Sequence, residues 1–290
     1  MLGPMTQPRT HMIPGPAGAL AVHEWGGSGA PVLLAHPTGF HGRVWAPIAE
    51  RLVAAGRRVW SFDFRCHGNS DAPEPNGESY AWSGFASDAL AVVDHLALEA
   101  DPALVACGHS KGAAALFLGE ARRRATYARI WAYEPIIFPA PRDIPSDNFP
   151  LATSARRRRN EWASVDEAFA AYSSKPPLNV MTPESLRAYT EYGLRDRGDG
   201  VFELKCSPEV EARVYAMAPA NGVWAELAKI ESSTLVVCGE ISTDISPSFA
   251  KEIAEQLPHS GVEVWPGYGH FGPQQDPDRC AASILGFANR

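Results

Sequence analysis

Short apolar runs and helix-length amphipathic stretches alternate along most of the chain. Strand-like runs fall at residues 21–25, 31–35, 58–62, 104–107 and 130–133, and again at 234–238 and 262–265. Between them, residues 45–55, 85–97, 247–257 and 276–288 are long enough for helices. In the second of these, Phe85, Ala89, Val92, Val93 and Leu96 recur at the spacing of one helix face. Short buried strands alternating with helices predict a mostly parallel sheet covered on both faces.

Between Phe138 and Lys229 the pattern breaks. No buried strand stands out there, only helical stretches such as 165–172, 183–193 and 208–216, separated by Pro and Gly. The expectation is a helical cap, residues 138–230, inserted into a core made of residues 1–137 and 231–290. Residues 1–16, rich in Pro and Gly, read as a flexible leader.

Composition narrows the function classes. The 290 residues are 45% hydrophobic and 20% charged, with a net charge of −7, an ordinary globular balance without the basic face that phosphate binding needs. Nucleic acid is therefore not an expected partner. The runs Arg122–Arg124 and Arg156–Arg159 read as solvated helix faces. No stretch reaches the ~18 apolar residues of a membrane span, so no membrane partner is expected, and no secretory signal opens the chain. The five cysteines (Cys66, Cys107, Cys206, Cys238 and Cys280) show no metal or redox spacing. Reduced thiols, a cytoplasmic location and the absence of a metal or organic cofactor are the default expectations.

The chemistry concentrates at two places. Gly108-His109-Ser110-Lys111-Gly112 follows the buried run 104–107 and precedes the small residues Ala113, Ala114 and Ala115 that open a helix. A tight strand-to-helix turn holds a serine in a strained conformation, and glycines on either side prevent clashes. The hydroxyl then stands above the sheet, at a helix N-terminus that favours a developing anion. Chance matches to this pattern are common; matches bracketed by a strand and a helix are not. A serine also needs a base, and Gly267-Tyr268-Gly269-His270-Phe271 follows the last strand. His270 is thereby placed in a loop at the carboxyl end of the sheet, on the edge that Ser110 occupies.

These motifs, with His36-Pro37-Thr38-Gly39 and the run from Asp63 to Ser70, resemble the α/β-hydrolase superfamily over roughly residues 19–288, near its small serine esterases and cofactor-free haloperoxidase-like members. Pro37 and Cys66 depart from the usual residues without removing a reactive group. The resemblance implies an eight-stranded, mostly parallel α/β sheet with helices on both faces and a helical cap. It also implies an oxyanion hole from the backbone N–H groups of Thr38 and Lys111, with Gly39 as the alternative to Thr38, because Pro37 has no N–H. Asp63, Arg65, His67 and Ser70 then fix a loop beside the site. The Lys111 side chain either contacts the cap or a substrate carboxylate or, preferably, is simply solvated.

Two carboxylates compete to orient His270. The superfamily's acid usually follows the strand that is 234–238 here, which points to Asp244, although one or two positions late; Glu240 lies too early. Other branches place it after the preceding strand, which points to Glu134. Asp244 is narrowly preferred. The expected activity is hydrolysis of a small-molecule ester or lactone through an acyl-enzyme on Ser110. Carbon–carbon bond hydrolysis, perhydrolysis or ligand reception with little turnover are the alternatives. Trp162, Phe169, Tyr172, Tyr189, Tyr192, Tyr215 and Trp224 in the cap suggest an apolar or aromatic substrate.

Overall fold

The computed structural model describes residues 7–73, 79–99, 101–139 and 148–290. In chain order the first strands are β1 (Arg9–Gly15), β2 (Gly18–Gly26), β3 (Pro31–Ala35), β4 (Arg58–Phe62), β5 (Val105–His109) and β6 (Arg129–Tyr133). The short strands β7 (Glu161–Trp162), β8 (Leu194–Asp196) and β9 (Phe202–Leu204) come next, and β10 (Ser233–Gly239) and β11 (Ser260–Trp265) follow. Helices α1 (Ala46–Ala54), α2 (Trp82–His95) and α3 (Lys111–Arg122) belong to the first half. Helices α4 (Pro150–Arg156), α5 (Val165–Ser173), α6 (Pro183–Gly193) and α7 (Pro208–Ala216) lie between β6 and β10, and α8 (Pro247–Gln256), α9 (Gly272–Gln275) and α10 (Pro277–Ala288) end the chain.

The main sheet has eight strands in the order β1-β2-β4-β3-β5-β6-β10-β11. The pairs β1–β2 and β2–β4 are antiparallel, and every other pair is parallel. Alternate residues of β3 feed opposite cores. Leu33 and Ala35 join Phe62, Phe85, Leu116 and Phe117 under α2 and α3. Val32 and Leu34 join Trp45, Leu52, Trp131 and Ile284 under α1 and α10. A strand covered on both faces needs apolar side chains at every position, and all five residues of β3 are buried. The five cysteines are free and buried, so Cys107 and Cys238 serve as small core side chains. Among the described residues, no helix is long and apolar enough to cross a membrane.

Part of the expected leader is ordered structure. Residues 1–6 lie outside the described residues, but Arg9–Gly15 pair with β2 from Arg9↔Glu24 to Gly15↔Gly18. Ile13 is buried in the core, and Pro14 is tolerated because β1 is an edge strand. Gly15 is required by crowding, since a Cβ there would stand 2.6 Å from the Gly18 carbonyl oxygen.

The insertion holds one feature beyond the expected helices. Besides α4–α7, the segment holds a three-stranded antiparallel sheet in the order β7-β9-β8, separate from the main sheet. Its strands are two or three residues long, too short to leave an alternating pattern. Residues 140–147 of the expected cap lie outside the described residues. The helices here are set by local chemistry. Thr182 and Ser207 each cap a helix by accepting a backbone N–H, with Pro at the start of the first turn.

Candidate active site

Strand register brings the candidate residues together. His109 of β5 lies beside Tyr133 of β6, and Val237 of β10 lies on the other side of Tyr133. Ser110 and Glu134, immediately after β5 and β6, and Cys238 and Gly239, at the end of β10, therefore lie side by side at the carboxyl edge.

Ser110 has φ 57° and ψ −120°, a region that costs a non-glycine residue of order 1–3 kcal/mol and persists only where the surroundings enforce it. Here they do so from both ends. The Ser110 N–H donates to the Tyr133 carbonyl at 2.9 Å, and the Ser110 carbonyl accepts from Ala114 at 3.2 Å. The flanking glycines are steric necessities: a Cβ on Gly108 would stand 2.4 Å from the Ala113 backbone, and one on Gly112 would stand 2.3 Å from the Ala35 carbonyl oxygen. The second contact shows that the start of α3 presses on the end of β3, just before Thr38. Among the described residues, the backbone N–H groups of Thr38, Gly39 and Lys111 donate to no acceptor. His36 steadies this loop, donating from Nδ1 to the Pro37 carbonyl at 2.8 Å and accepting the Phe64 N–H on Nε2 at 3.1 Å. Burial keeps it neutral, with its pKa well below the ordinary value.

His270 Nδ1 donates to Glu134 Oε2 at 2.6 Å. Asp244 Oδ2 lies 3.7 Å from the same nitrogen, so the expectation that Asp244 makes this contact is corrected in favour of Glu134. The reason is reach. Glu134 sits at the end of β6 with φ 42°, and its buried carboxylate is held by the Gly239 N–H at 2.9 Å and the Ser242 hydroxyl at 2.7 Å. Asp244 lies farther out on the β10 loop, with 40% of its side chain exposed. The Tyr133 hydroxyl donates to the Gly269 carbonyl at 2.7 Å, tying the histidine loop to the strand that carries Glu134. Tyr133 and Ser242 are positioning residues that spacing alone did not point to. Burial opposes protonation of His270, but the Glu134 hydrogen bond and charge, joined by the charge of Asp244, outweigh it and raise its pKa. The His109 ring lies 4.8 Å from the His270 ring, which places the imidazole directly over the residue preceding Ser110.

The remaining expected residues divide. Asp63 accepts N–H groups from Gly42 at 2.6 Å and Asn69 at 2.7 Å, and Arg65 forks onto Asp88; both hold the loop as expected. Most members of the arginine runs meet surface carboxylates, but Arg158 turns inward to Glu211. Lys111 is the clearest departure. Its side chain is fully buried and its Nζ has no hydrogen-bond partner, standing 4.0 Å and 4.3 Å from the ring centroids of Phe64 and Phe85. Apolar helix neighbours took it out of solvent, and burial pushes its pKa down to about 7. Above that pH the unfolded chain holds the extra proton, so stability rises with pH up to the ordinary lysine range. Lys111→Met is therefore expected to raise Tm at pH 6 and to raise it less at pH 9. Calorimetry at both values checks this, and an equal or negative change would contradict it.

Comparison with known proteins agrees with this architecture. A family model described as "Alpha/beta hydrolase family" matches residues 32–283. Protein phosphatase methylesterase 1 of Cryptococcus neoformans is 31% identical over 107 residues, which cover 35% of this chain and only 25% of that protein. Among solved structures, E-2-(acetamidomethylene)succinate hydrolase superposes with a TM-score of 0.84 at 21% identity, covering 98% of this chain and 100% of its own. The enol-lactonase of Burkholderia xenovorans LB400 superposes with a TM-score of 0.72 at 19% identity, covering 97% and 100%. With the family model spanning most of the chain and the strand order and serine turn in place, this chain belongs to the alpha/beta hydrolase family.

Proposed function

We propose that this hydrolase cleaves a carboxylic ester or lactone of a small molecule through an acyl-enzyme. Ser110 attacks the carbonyl, and His270 takes the serine proton on Nε2 and returns it to the leaving oxygen. Glu134 holds the imidazole in the tautomer with hydrogen on Nδ1 and stabilises its cation. The N–H groups of Thr38 and Lys111 stabilise the tetrahedral oxyanion; losing one such donor typically costs ~10²–10³ in rate. Water then repeats the sequence on the acyl-enzyme. The observation that carries this reading is the 2.6 Å bond from His270 Nδ1 to Glu134, made at the strand edge where Ser110 is held in its strained turn.

The insertion, residues 138–230, is proposed as the lid of the site. Tyr189 packs 4.7 Å from Phe40, which follows the oxyanion loop, and Phe40 stacks at 5.8 Å on Phe271, the neighbour of His270. A recess of about 400 Å³ beside Asp244 is lined by apolar residues such as Ile136, Phe138, Ile245 and Phe249 and by polar ones such as Thr243, Ser246 and Glu252. Trp162, Phe169, Tyr192 and Trp224 are occupied in packing against Tyr172, Arg187, Arg43 and Phe249.

A panel of alkyl esters, lactones and vinylogous diketones tests the reaction class. Turnover of esters or lactones is expected. Cleavage of diketones alone would replace this reading with carbon–carbon hydrolysis, and no turnover of any would overturn it.

The raised pKa of His270 sets a pH dependence. A general base works only when neutral, so kcat/KM should fall on acidification through a midpoint above the ordinary histidine value of ~6.5. Asp244→Asn removes a negative charge that favours the imidazolium, and should move this limb to lower pH. A limb that stays in place in the variant would show that Asp244 has no bearing on His270.

A further inference from the structure

The insertion meets the loop after β3, with Glu211 against Gly39 and Tyr189 against Phe40, and the polar groups on this wall are arranged around one arginine. Arg158, just after α4, donates through Nη1 to Glu211 of α7. Its Nη2 donates to the hydroxyls of Tyr172 at 3.2 Å and Tyr189 at 2.6 Å. The cluster touches the oxyanion loop: Glu211 Oε1 lies 2.5 Å from where a Cβ on Gly39 would stand.

Two features of the cluster leave room for a ligand. First, Arg158, though held by Glu211 and two tyrosine hydroxyls, keeps 21% of its side chain solvent-accessible. Second, each tyrosine hydroxyl that accepts from Arg158 must send its own hydrogen elsewhere. Among the described residues, the hydroxyls of Tyr172 and Tyr189 donate to no acceptor. An accessible guanidinium beside two phenol hydrogens without acceptors suits a ligand group with several acceptor lone pairs, such as a carboxylate.

We propose that this wall recognises a carboxylate on the acyl portion of the substrate, with Arg158, Tyr172 and Tyr189 as its donors. The inference rests on the ester-hydrolase reading and narrows it to half-esters or lactones of dicarboxylic acids, or chemically similar acids. Glu211 acts as the positioning residue that aims Arg158, and the aromatic rings of Phe40 and Tyr189 line the methylene chain between the two carbonyl groups.

Two esters of equal length separate this class from apolar esters. Monomethyl glutarate and methyl pentanoate differ only in whether the acyl chain ends in a carboxylate or a methyl group. The wild-type enzyme should favour monomethyl glutarate in kcat/KM by about 10–100-fold, the scale of a charge-assisted hydrogen bond. Arg158→Gln should bring that ratio close to one. Tyr189→Phe, which keeps the ring, should lower it several-fold and serves as the test if the arginine variant does not fold. Calorimetric titration of glutarate into Ser110→Ala gives a readout without turnover, with binding expected there and lost on adding Arg158→Gln. Ester turnover without preference for the half-ester and without glutarate binding would overturn the carboxylate site and leave the hydrolase standing. Glutarate binding through Arg158 with no ester turnover would uphold the site and overturn the hydrolase reading instead.

Discussion

Ser110→Ala is expected to lower kcat on the preferred ester by about 10⁴–10⁶-fold, the range in which a hydrolytic triad loses its nucleophile. The fold should survive the change. The backbone bonds from Ser110 to Tyr133 and Ala114 are made by its N–H and carbonyl, and among the described residues its hydroxyl serves no structural hydrogen bond. Alanine tolerates φ 57° about as well as serine, so Tm should move little. Retained turnover in the variant would show that another group attacks. Lost turnover with a large drop in Tm would leave the nucleophile undecided, and His270→Ala, which sits in an exposed-edge loop, would then be the arbiter.

Glu134→Gln is expected to lower kcat by about 10⁴-fold, whereas Asp244→Asn should cost no more than about tenfold. An amide in place of the triad acid can hold the imidazole in the wrong tautomer, and a loss of about 10⁴ follows from that alone. The asymmetry comes from geometry: the buried Glu134 carboxylate accepts a hydrogen bond from His270 Nδ1 at 2.6 Å, while Asp244 stands 3.7 Å away and is partly solvated. Partial solvation screens the Asp244 charge, which leaves it a modest influence on the histidine pKa and little on orientation. Steady-state kinetics of both variants decides the matter. A near-normal Glu134→Gln beside a crippled Asp244→Asn would return the acid to the β10 loop.

The legible parts of this chain are those in which local pattern and steric need coincide. Buried strands β3 to β6, β10 and the helices between them announce themselves because each strand is apolar at almost every position and each helix has one apolar face. Ser110 was legible because Gly108 and Gly112 leave no room for a side chain, and His270 because it follows the last strand of a parallel sheet. The edge strand β1 was hidden by Pro14 and its neighbouring glycines, which signal irregular chain except where a strand needs no inward hydrogen bond. The strands of the insertion were hidden by their length.

The acid was hidden for a different reason. Both candidates follow strands that end at the same edge, and spacing along the chain does not encode how far a side chain reaches or which hydroxyl braces it. Only the register of β6 between β5 and β10 places Glu134 beside both Ser110 and Gly239, with Ser242 bridging to its carboxylate. Lys111 and Arg158 are hidden by the same limit. A lysine at a helix start and an arginine in a basic run are ordinarily solvated, and nothing in the local sequence reveals that neighbouring elements enclose them.

Ser110, activated by His270 and Glu134, is proposed as the nucleophile of this hydrolase. Labelling with a fluorophosphonate tests this assignment, because the reagent phosphonylates only a serine whose hydroxyl is activated and whose oxyanion site is formed. Intact-mass measurement should show one adduct per chain, and peptide mapping should place it on Ser110. The adduct should vanish in Ser110→Ala and form far more slowly in Glu134→Gln. An adduct on any other serine, or undiminished labelling of Ser110→Ala, would contradict the claim.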